Sequence, residues 1–354
     1  MIKSIYVHIP FCKSLCTYCD FCKLKYNKEF VSLYLEKLKK EVAIYKDKIG
    51  LVETLYIGGG SPSSLSKEER NNLFKIIDFK FKTNYEFTFE LMVKDISKEL
   101  LIDLKNRGVN RVSIGIEKVN CKSLNRNISE TSLIEKINLV KKYFTNFNLD
   151  LMYGFSGQTM TDLDSDLNFI LKFNPPHISS YHLILENNTI LKNKGYKEID
   201  EDKSLEFYNY IRKKLRKYNH YEISNFAKKG YESRHNLVYW HNEEYLGLGL
   251  GASSYLEGIR FKNTRSLNNY PLIIEKEVLS KNDMMCYYMI LGLRLKEGVS
   301  FSYFKKVFHK EIEEVYNISD LIKSNVLIKR GDDLKVNPKY WFQENNILER
   351  FIDE

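Results

Sequence analysis

The sequence predicts an α/β protein: a partial (β/α)6 barrel of the TIM type with a smaller C-terminal helical domain of winged-helix type. Three observations carry this. Short β-branched runs alternate with amphipathic stretches from the N-terminus to about Leu185. Cysteines, a glycine run and a carboxylate sit at the ends of the first three strand-like runs, where a βα-barrel gathers its chemistry. Past Tyr231 the cadence changes. Regular strand–helix alternation argues for a parallel sheet with helical crossovers.

The first strand is SIYVHI, and after it Val31, Leu35, Leu38, Val42 and Tyr45 recur at spacings of four and three, one face of a helix. Further strands are expected at VETLYIG, YEFTFEL, VNRVSIGI, NLDLMYG and HISSYHLIL. Helices are expected near Ser66 to Asp78, Ser97 to Asn106, Thr131 to Phe144 and Thr159 to Lys172. These make a barrel domain of residues 1–230. A connecting segment over 231–275 carries RHNLVYW, and a helical domain over 276–354 contains SDLIKSNVLIKRGDDLKVNPKYW, which alternates like a hairpin with Gly-Asp-Asp at its turn. No sequence repeat or low-complexity segment is visible.

With 354 residues, 43% hydrophobic and 29% charged, the chain can bury a large core. Its 55 Lys+Arg against 46 Asp+Glu give +9, but the lysines are scattered rather than blocked, so no nucleic-acid footprint is expected. Three of the six cysteines lie within eight residues, unlike a disulfide framework, and imply a reducing compartment. MIKSIYVHIPF lacks the pattern of a signal peptide. The longest apolar run, Met284 to Leu293, is far below the roughly 18 residues of a membrane span. A cytoplasmic location is expected.

Cys12, Cys16 and Cys19 form C-x3-C-x2-C. A cubane iron–sulfur cluster normally takes four thiolates, so three leave one iron open to a small molecule. Cys22 is the rival fourth sulfur, which would close a tetrahedral zinc site; four cysteines on one short loop are unlike the two separated arms of a zinc knuckle. Cys121 and Cys286 read as small hydrophobes. Gly58 to Gly60 before Ser61-Pro62 make a turn in any protein and, beside the cysteines, a close backbone approach to a ligand. In RHNLVYW, His235 is either an axial haem ligand, with Tyr239 and Trp240 against the porphyrin face, or a hydrogen-bonded core residue. His241 could substitute for it, and Arg234 is either a propionate partner or a solvated residue.

These features together resemble a known family. C-x3-C-x2-C after a first strand, GGGSP after a second, Glu90 ending a third and NLDLMYG followed by GQT resemble the radical S-adenosylmethionine superfamily. YEISNFA, RHNLVYW and YLGLGLGASSY resemble the oxygen-independent coproporphyrinogen III oxidase-like family and, within it, the haem chaperone branch. The likeness covers nearly the whole chain to about Tyr255 and the C-terminal domain more loosely. It implies a [4Fe–4S] cluster on Cys12, Cys16 and Cys19, S-adenosylmethionine on the fourth iron and haem at His235. Tyr6, Gly59, Gly60, Ser61, Glu90, Glu117, Arg126 and Asp150 are the implied S-adenosylmethionine contacts.

Three departures accompany the resemblance. LMVK follows Glu90 in place of Ala-Asn-Pro, the stretch before Arg126 is about a turn short, and Glu117 stands for a glutamine, so it can accept but not donate. The decarboxylating oxidases carry a long segment before their first cysteine and a further cysteine almost directly after the third. Here 11 residues precede Cys12, and Cys22 is three positions past Cys19. Both differences favour a haem chaperone that passes haem to an acceptor protein, with radical decarboxylation of a porphyrinogen propionate as the alternative. Partners are then haem and an acceptor, no nucleic acid, and weak association with a membrane.

Overall fold

The computed structural model describes residues 1–119, 128–187 and 189–352; Arg126 and Cys121 lie outside the described residues. Six parallel strands run in sequence order: β1 (Ile2–Ile9), β2 (Ile49–Gly59), β3 (Phe81–Met92), β4 (Arg111–Glu117), β5 (Phe147–Tyr153) and β6 (His177–His182). Between them lie α1 (Lys28–Tyr45), α2 (Lys67–Ile76), α3 (Lys98–Asn106), α4 (Glu130–Tyr143) and α5 (Met160–Lys172). This is the expected six-unit partial barrel. Helix starts are fixed locally: Asn27 accepts from Phe30 N–H, and Ser66 with Glu69 and Thr159 with Asp162 form reciprocal capping boxes.

The chain beyond Lys172 does more than connect. After α6 (Glu201–Lys214), β7 (Asn219–Glu222) and β8 (Asn225–Ala227) add to β6 in antiparallel fashion. Helix α7 (Arg234–Trp240) is followed by β9 (Leu246–Gly249), which pairs in parallel with β1, Gly247 opposite Tyr6 and Gly249 opposite His8. The nine-stranded order is β9-β1-β2-β3-β4-β5-β6-β8-β7. The segment expected to link two domains thus supplies one edge of the barrel sheet, and RHNLVYW is α7 itself. A separate antiparallel sheet follows, β10 (Ser253–Leu256), β11 (Ile259–Asn263) and β12 (Ile273–Val278).

The C-terminal part runs α8 (Lys281–Gly292), β13 (Val299–Ser300), α9 (Phe301–Phe308), α10 (Ile312–Val315), α11 (Ser319–Lys323), β14 (Leu327–Arg330) and β15 (Asp333–Val336). Strands β14 and β15 form the expected hairpin, Arg330 opposite Asp333, with Gly331 at φ +63° in the turn. A helix, a short strand, three further helices and a hairpin follow in that order, an order compatible with a winged-helix arrangement. Among the described residues no helix is long and apolar enough to cross a membrane.

Strand alternation sorts the side chains. Ile5, Val7, Leu55, Ile57, Phe87, Phe89, Val112, Ile114, Leu149, Leu151 and Ile178 bury outward in one core with Val31, Leu38, Leu73, Leu104, Ile137 and Leu167 of the helices. The intervening residues point into the barrel and are polar.

Burial also sets the ionisation of carboxyls and imidazoles. Glu41 on α1 accepts from Gly249 N–H (2.8 Å), Asn263 Nδ2 (2.5 Å) and the Tyr270 hydroxyl, yet burial pushes its carboxyl up to about 7. Burial likewise raises Glu222 to about 7 and Glu344 to about 8, the latter paired with Arg294 at 2.9 Å. His220 and His235 are lowered to about 3 by burial, and His177 lies well below its usual value for the same reason. The raised carboxyls make the folded chain bind more protons than the unfolded one above pH about 4.5, so their contribution is lost as pH rises through 7 to 8. The lowered histidines act the other way, but only below about 6.5. The melting temperature of the metal-free chain should therefore fall from pH about 6.5 to about 8.5, as read by circular dichroism. A flat or rising profile there would contradict the burial of these carboxyls.

Candidate functional site

The cysteine loop leaves β1 at Pro10 and crosses the C-terminal mouth of the barrel. Several contacts tie it down. Leu24 N–H donates to Pro10 O (2.7 Å), Tyr26 N–H to Cys12 O (2.9 Å) and Leu191 N–H to Thr17 O (3.0 Å). Lys94 Nζ donates to Ser14 Oγ (3.1 Å), Arg265 Nη2 to Asp20 O (2.5 Å), and Lys23 Nζ to the carbonyls of Cys16 and Cys19. Burial, then Cys16 and Cys19, push the Cys12 thiol up to about 12, against the opposing pull of Lys23 and Lys94. Burial raises Cys19, and Cys16 adds to it. Cys12 and Cys19 therefore both sense Cys16, and a bound group carrying positive metal charge would favour the thiolate form of each.

Cys22 is turned elsewhere. Its thiol points to Arg265 O at 3.9 Å and packs on Gly251, while its raised pKa, due first to burial, is moderated by Arg265 and Lys262. Among the described residues no three Cys, His, Asp or Glu side chains converge on one metal ion. A tetrahedral zinc site needs that convergence, whereas a cubane binds each thiolate through a different iron. The donor set fits the cluster.

The glycine run packs against this loop. Gly60 N–H donates to Ile9 O (2.8 Å), and a Cβ there would lie 2.8 Å from the Pro10 carbonyl and 2.9 Å from Cys12 Sγ. Gly59 has φ +115°, and a Cβ would strike the His8 ring at 2.7 Å. Its N–H donates to Glu90 Oε2 (3.0 Å), and Tyr56 OH donates to Glu90 Oε1 (2.7 Å). Ser61 Oγ lies 3.2 Å from Ser63 Oγ, which donates to Asp95 (3.1 Å) and accepts from Met92 N–H (3.0 Å).

Inside the barrel, Tyr6 OH meets His8 Nδ1 at 3.0 Å, and His8 Nε2 meets Cys22 O at 2.7 Å. Asp150 accepts from Ser113 Oγ (3.1 Å) and Asn148 Nδ2 (2.6 Å), and Asn148 passes the network to His177 (2.7 Å) and on to Tyr221 (2.8 Å). Desolvation pushes Glu90 up to about 7, opposed by the Tyr56 and Gly59 bonds; desolvation also raises Asp150, opposed by Ser179, Asn148 and Ser113. Glu117 ends β4 with φ +62°, an uncommon and strained conformation for a side-chain-bearing residue. Asp166 accepts Val119 N–H at 3.1 Å and anchors the chain just before residue 120. Gly60 thus meets Cys12, Gly59 meets Glu90, and Glu90 senses Tyr6 and Asp150, while Glu117 ends β4 at the same end of the parallel strands.

His235 lies deeper in the barrel, on its floor, with its ring 5.3 Å from that of Tyr56 and 6.5 Å from that of Tyr6. It is 1% exposed; Nδ1 meets Thr54 Oγ1 at 2.8 Å and Nε2 meets Tyr239 OH at 2.7 Å. Glu86 accepts the backbone N–H of Arg234 (3.1 Å) and of His235 (3.0 Å), capping α7 at its positive end. Tyr239 packs edge-on to Tyr245, and Arg294 covers Trp240 at 4.7 Å. Of the two readings of this histidine, the hydrogen-bonded core residue describes the structure, since both ring nitrogens are engaged, while Tyr239 and Trp240 are half-buried. Arg234 bonds the Asn84 carbonyl. His241 is partly exposed and meets Glu297 at 2.8 Å.

His8, Tyr56, Arg111, Asn148 and His177 escaped the sequence reading. The alternation that singled out Glu90 also marks His8, Tyr56 and Asn148, each a polar residue between apolar ones on a parallel strand, whereas Arg111 and His177 open their strands and carry a weaker signal.

Comparison with known proteins agrees with this fold. The Radical SAM superfamily model matches residues 6–170, and the HemN C-terminal domain model matches 279–342. A protein of Lactococcus lactis named heme chaperone HemW is 37% identical over 370 residues, covering 99% of this chain and 97% of its own. The Bacillus subtilis protein of that name is 35% identical over the full length of both. Coproporphyrinogen III oxidase (HemN) from Escherichia coli, described as a radical SAM enzyme, superposes with a TM-score of 0.87 at 21% identity, covering 99% of this chain and 90% of that one.

After anaerobic reconstitution, Cys16→Ser should lose the charge-transfer absorbance and acid-labile sulfide of a cluster, whereas Cys22→Ser should keep both. A colourless Cys22→Ser protein would move Cys22 into the ligand set.

Proposed function

This chain belongs to the HemW family of the radical SAM superfamily, and on that premise we propose that it binds a [4Fe–4S] cluster, S-adenosylmethionine and haem, and passes the haem to an acceptor protein. The observation that carries the reading is the junction at the mouth, where Gly60 abuts Cys12 Sγ and Gly59 shares its N–H with Glu90. Cys12, Cys16 and Cys19 would hold the cluster. Tyr6, Gly59, Gly60, Ser61, Glu90, Glu117, Arg126 and Asp150 would face the sulfonium nucleoside. When bound, the reduced cluster supplies an electron able to cleave the sulfonium carbon–sulfur bond. This chain's own contribution is to fix the thiolates, present carboxylates to the amine and ribose, and desolvate them. A reducing cytoplasm, which keeps the thiols free, suits this reading, together with weak association with a membrane surface.

His235 is the proposed axial haem ligand. Iron needs one imidazole nitrogen, so His235 must first give up Thr54 or Tyr239, and haem binding is coupled to α7 leaving the floor. His241 is the competing imidazole.

Electron paramagnetic resonance of the reduced, reconstituted protein should change on addition of S-adenosylmethionine. A spectrum indifferent to it would remove the cofactor reading. Haem titration of His235→Ala should lose the axial Soret feature, His241→Ala should keep it, and amide deuterium exchange over 234–240 should rise when wild type takes up haem. Loss in His241→Ala alone would transfer the ligand role. Coproporphyrinogen should not be converted to protoporphyrinogen; conversion would establish the decarboxylase alternative.

A further inference from the structure

Lysines that are scattered along the sequence are gathered by the fold. Asn148 on β5, His177 on β6, Ala227 on β8 and Asn219 on β7 lie opposite one another in turn, so one row across four adjacent strands marks the floor end of the sheet. With strands about 4.8 Å apart, that row spans about 15 Å. Each of its members belongs to a cationic segment: KKYFTNFN over 141–148, KFNPPH over 172–177, RKKLRKYN over 212–219 and AKKGYESR over 227–234. Together these hold eleven Lys and Arg against one acid, Glu232, a surplus of ten where the whole chain carries +9. The rest of the molecule is nearly neutral, and the excess charge sits on this one face.

Contacts between the segments make the face continuous. Lys228 N–H donates to Pro176 O (2.8 Å), Lys228 Nζ to the backbone and side-chain oxygens of Asn174 (2.9 and 2.7 Å), and Tyr218 OH to Pro175 O (2.9 Å). Burial, then the charge of Lys141, lowers the Lys228 ammonium, so the ends of α4 and β8 feel each other. Glu232 is already engaged by Asn219 Nδ2 (3.2 Å) and Gly230 N–H (2.8 Å), Lys214 pairs with Asp164 (2.5 Å), and Arg212 lies over Tyr208 and Trp341. Lys141, Lys142, Lys172, Lys213, Lys217 and Lys229 are exposed, and among the described residues none of them is in an ion pair.

A basic residue in the last turn of a helix answers the helix dipole, which accounts for Lys141, Lys142, Lys172 and Lys213. It does not account for Arg216, Lys217, Lys228 and Lys229, which lie beyond the helices. Like charges concentrated in this way repel and cost stability, so their use lies outside the molecule. The chemistry of the face selects the partner. Protein interfaces centre on aromatic, Met and Arg anchors and are poor in Lys, and among the described residues none of the exposed large apolar side chains falls in these segments. Nucleic acid calls for stacking platforms or Arg forks aimed at bases, whereas Tyr143, Tyr218 and Tyr231 between these lysines are half-buried. Flexible ammonium groups on a broad front suit a surface whose charge is diffuse and whose headgroups move.

We propose that the floor face of the barrel, opposite the cysteine mouth, is a peripheral membrane-docking surface that binds anionic phospholipid headgroups through charge alone. It gives a place to the membrane association in the functional reading above and rests on that part of it only. The mouth then faces away from the bilayer, while α7 starts on the docked face at Arg234.

The test is co-sedimentation of the full chain with vesicles of phosphatidylcholine alone or with about one third phosphatidylglycerol, at about 0.1 M and about 0.5 M salt. Wild type should bind the anionic vesicles at the lower salt, release them at the higher and ignore the neutral ones. Lys213→Gln/Lys217→Gln and Lys141→Gln/Lys142→Gln should each bind about 30-fold more weakly, and Lys39→Gln/Lys40→Gln, an exposed pair on α1, should bind as wild type. Unchanged binding in either folded floor variant, or equal binding to neutral vesicles, overturns this face and leaves the membrane reading standing. No binding of wild type to either vesicle overturns the membrane reading and the face with it. Capture of RNA in place of vesicles, lost in the floor variants, hands the face to nucleic acid and overturns the proposal. Each floor variant decides alone if the other does not fold.

Discussion

A one-residue slip in any of the six parallel strands would exchange its polar face for its apolar one, and the site depends on that not happening. Ile5, Val7, Leu55, Ile57, Phe87 and Phe89 demand the helical layer, and the polar residues between them are thereby committed to the lumen. The apolar face specifies the register, and the register delivers Tyr6, His8, Tyr56, Glu90, Arg111 and Asp150 to a common interior. Chemistry is placed here by the hydrophobic effect acting on the opposite side of the same strands.

The cost of that interior is met by hydrogen bonding. Nearly every polar side chain in it has a partner on a neighbouring strand, as in the run from Asp150 through Asn148 and His177 to Tyr221. Arg111 Nε, without an acceptor among the described residues, is one exception. Such exceptions mark places where structure alone leaves a group waiting for something else.

Much of the barrel was legible in the sequence because parallel strands and amphipathic helices announce themselves over short windows. Glu90 was legible because two phenylalanines flank it in alternation, and the cysteines because their spacing is local. What stayed hidden is what depends on distant chain. YLGLGLGASSY gave no sign that Leu246–Gly249 would lie beside β1, since four residues rich in glycine carry little strand signal. RHNLVYW left His235 open between a haem ligand and a hydrogen-bonded core residue; its burial follows from Glu86 and Thr54, some 150 and 180 positions earlier in the chain. No local pattern reports such pairings.

The seam between β1 and β9 joins residues near the N-terminus to Leu246–Gly249, and the cysteine loop is also held by Arg265. During synthesis, β1 leaves the ribosome with one edge bare and keeps it so until some 240 further residues have been added. The mouth therefore takes its final shape only after Arg265 has been made, about three quarters of the way along the 354-residue chain. Iron and sulfide have no finished cradle to enter before then, although their thiol ligands are among the first residues to emerge.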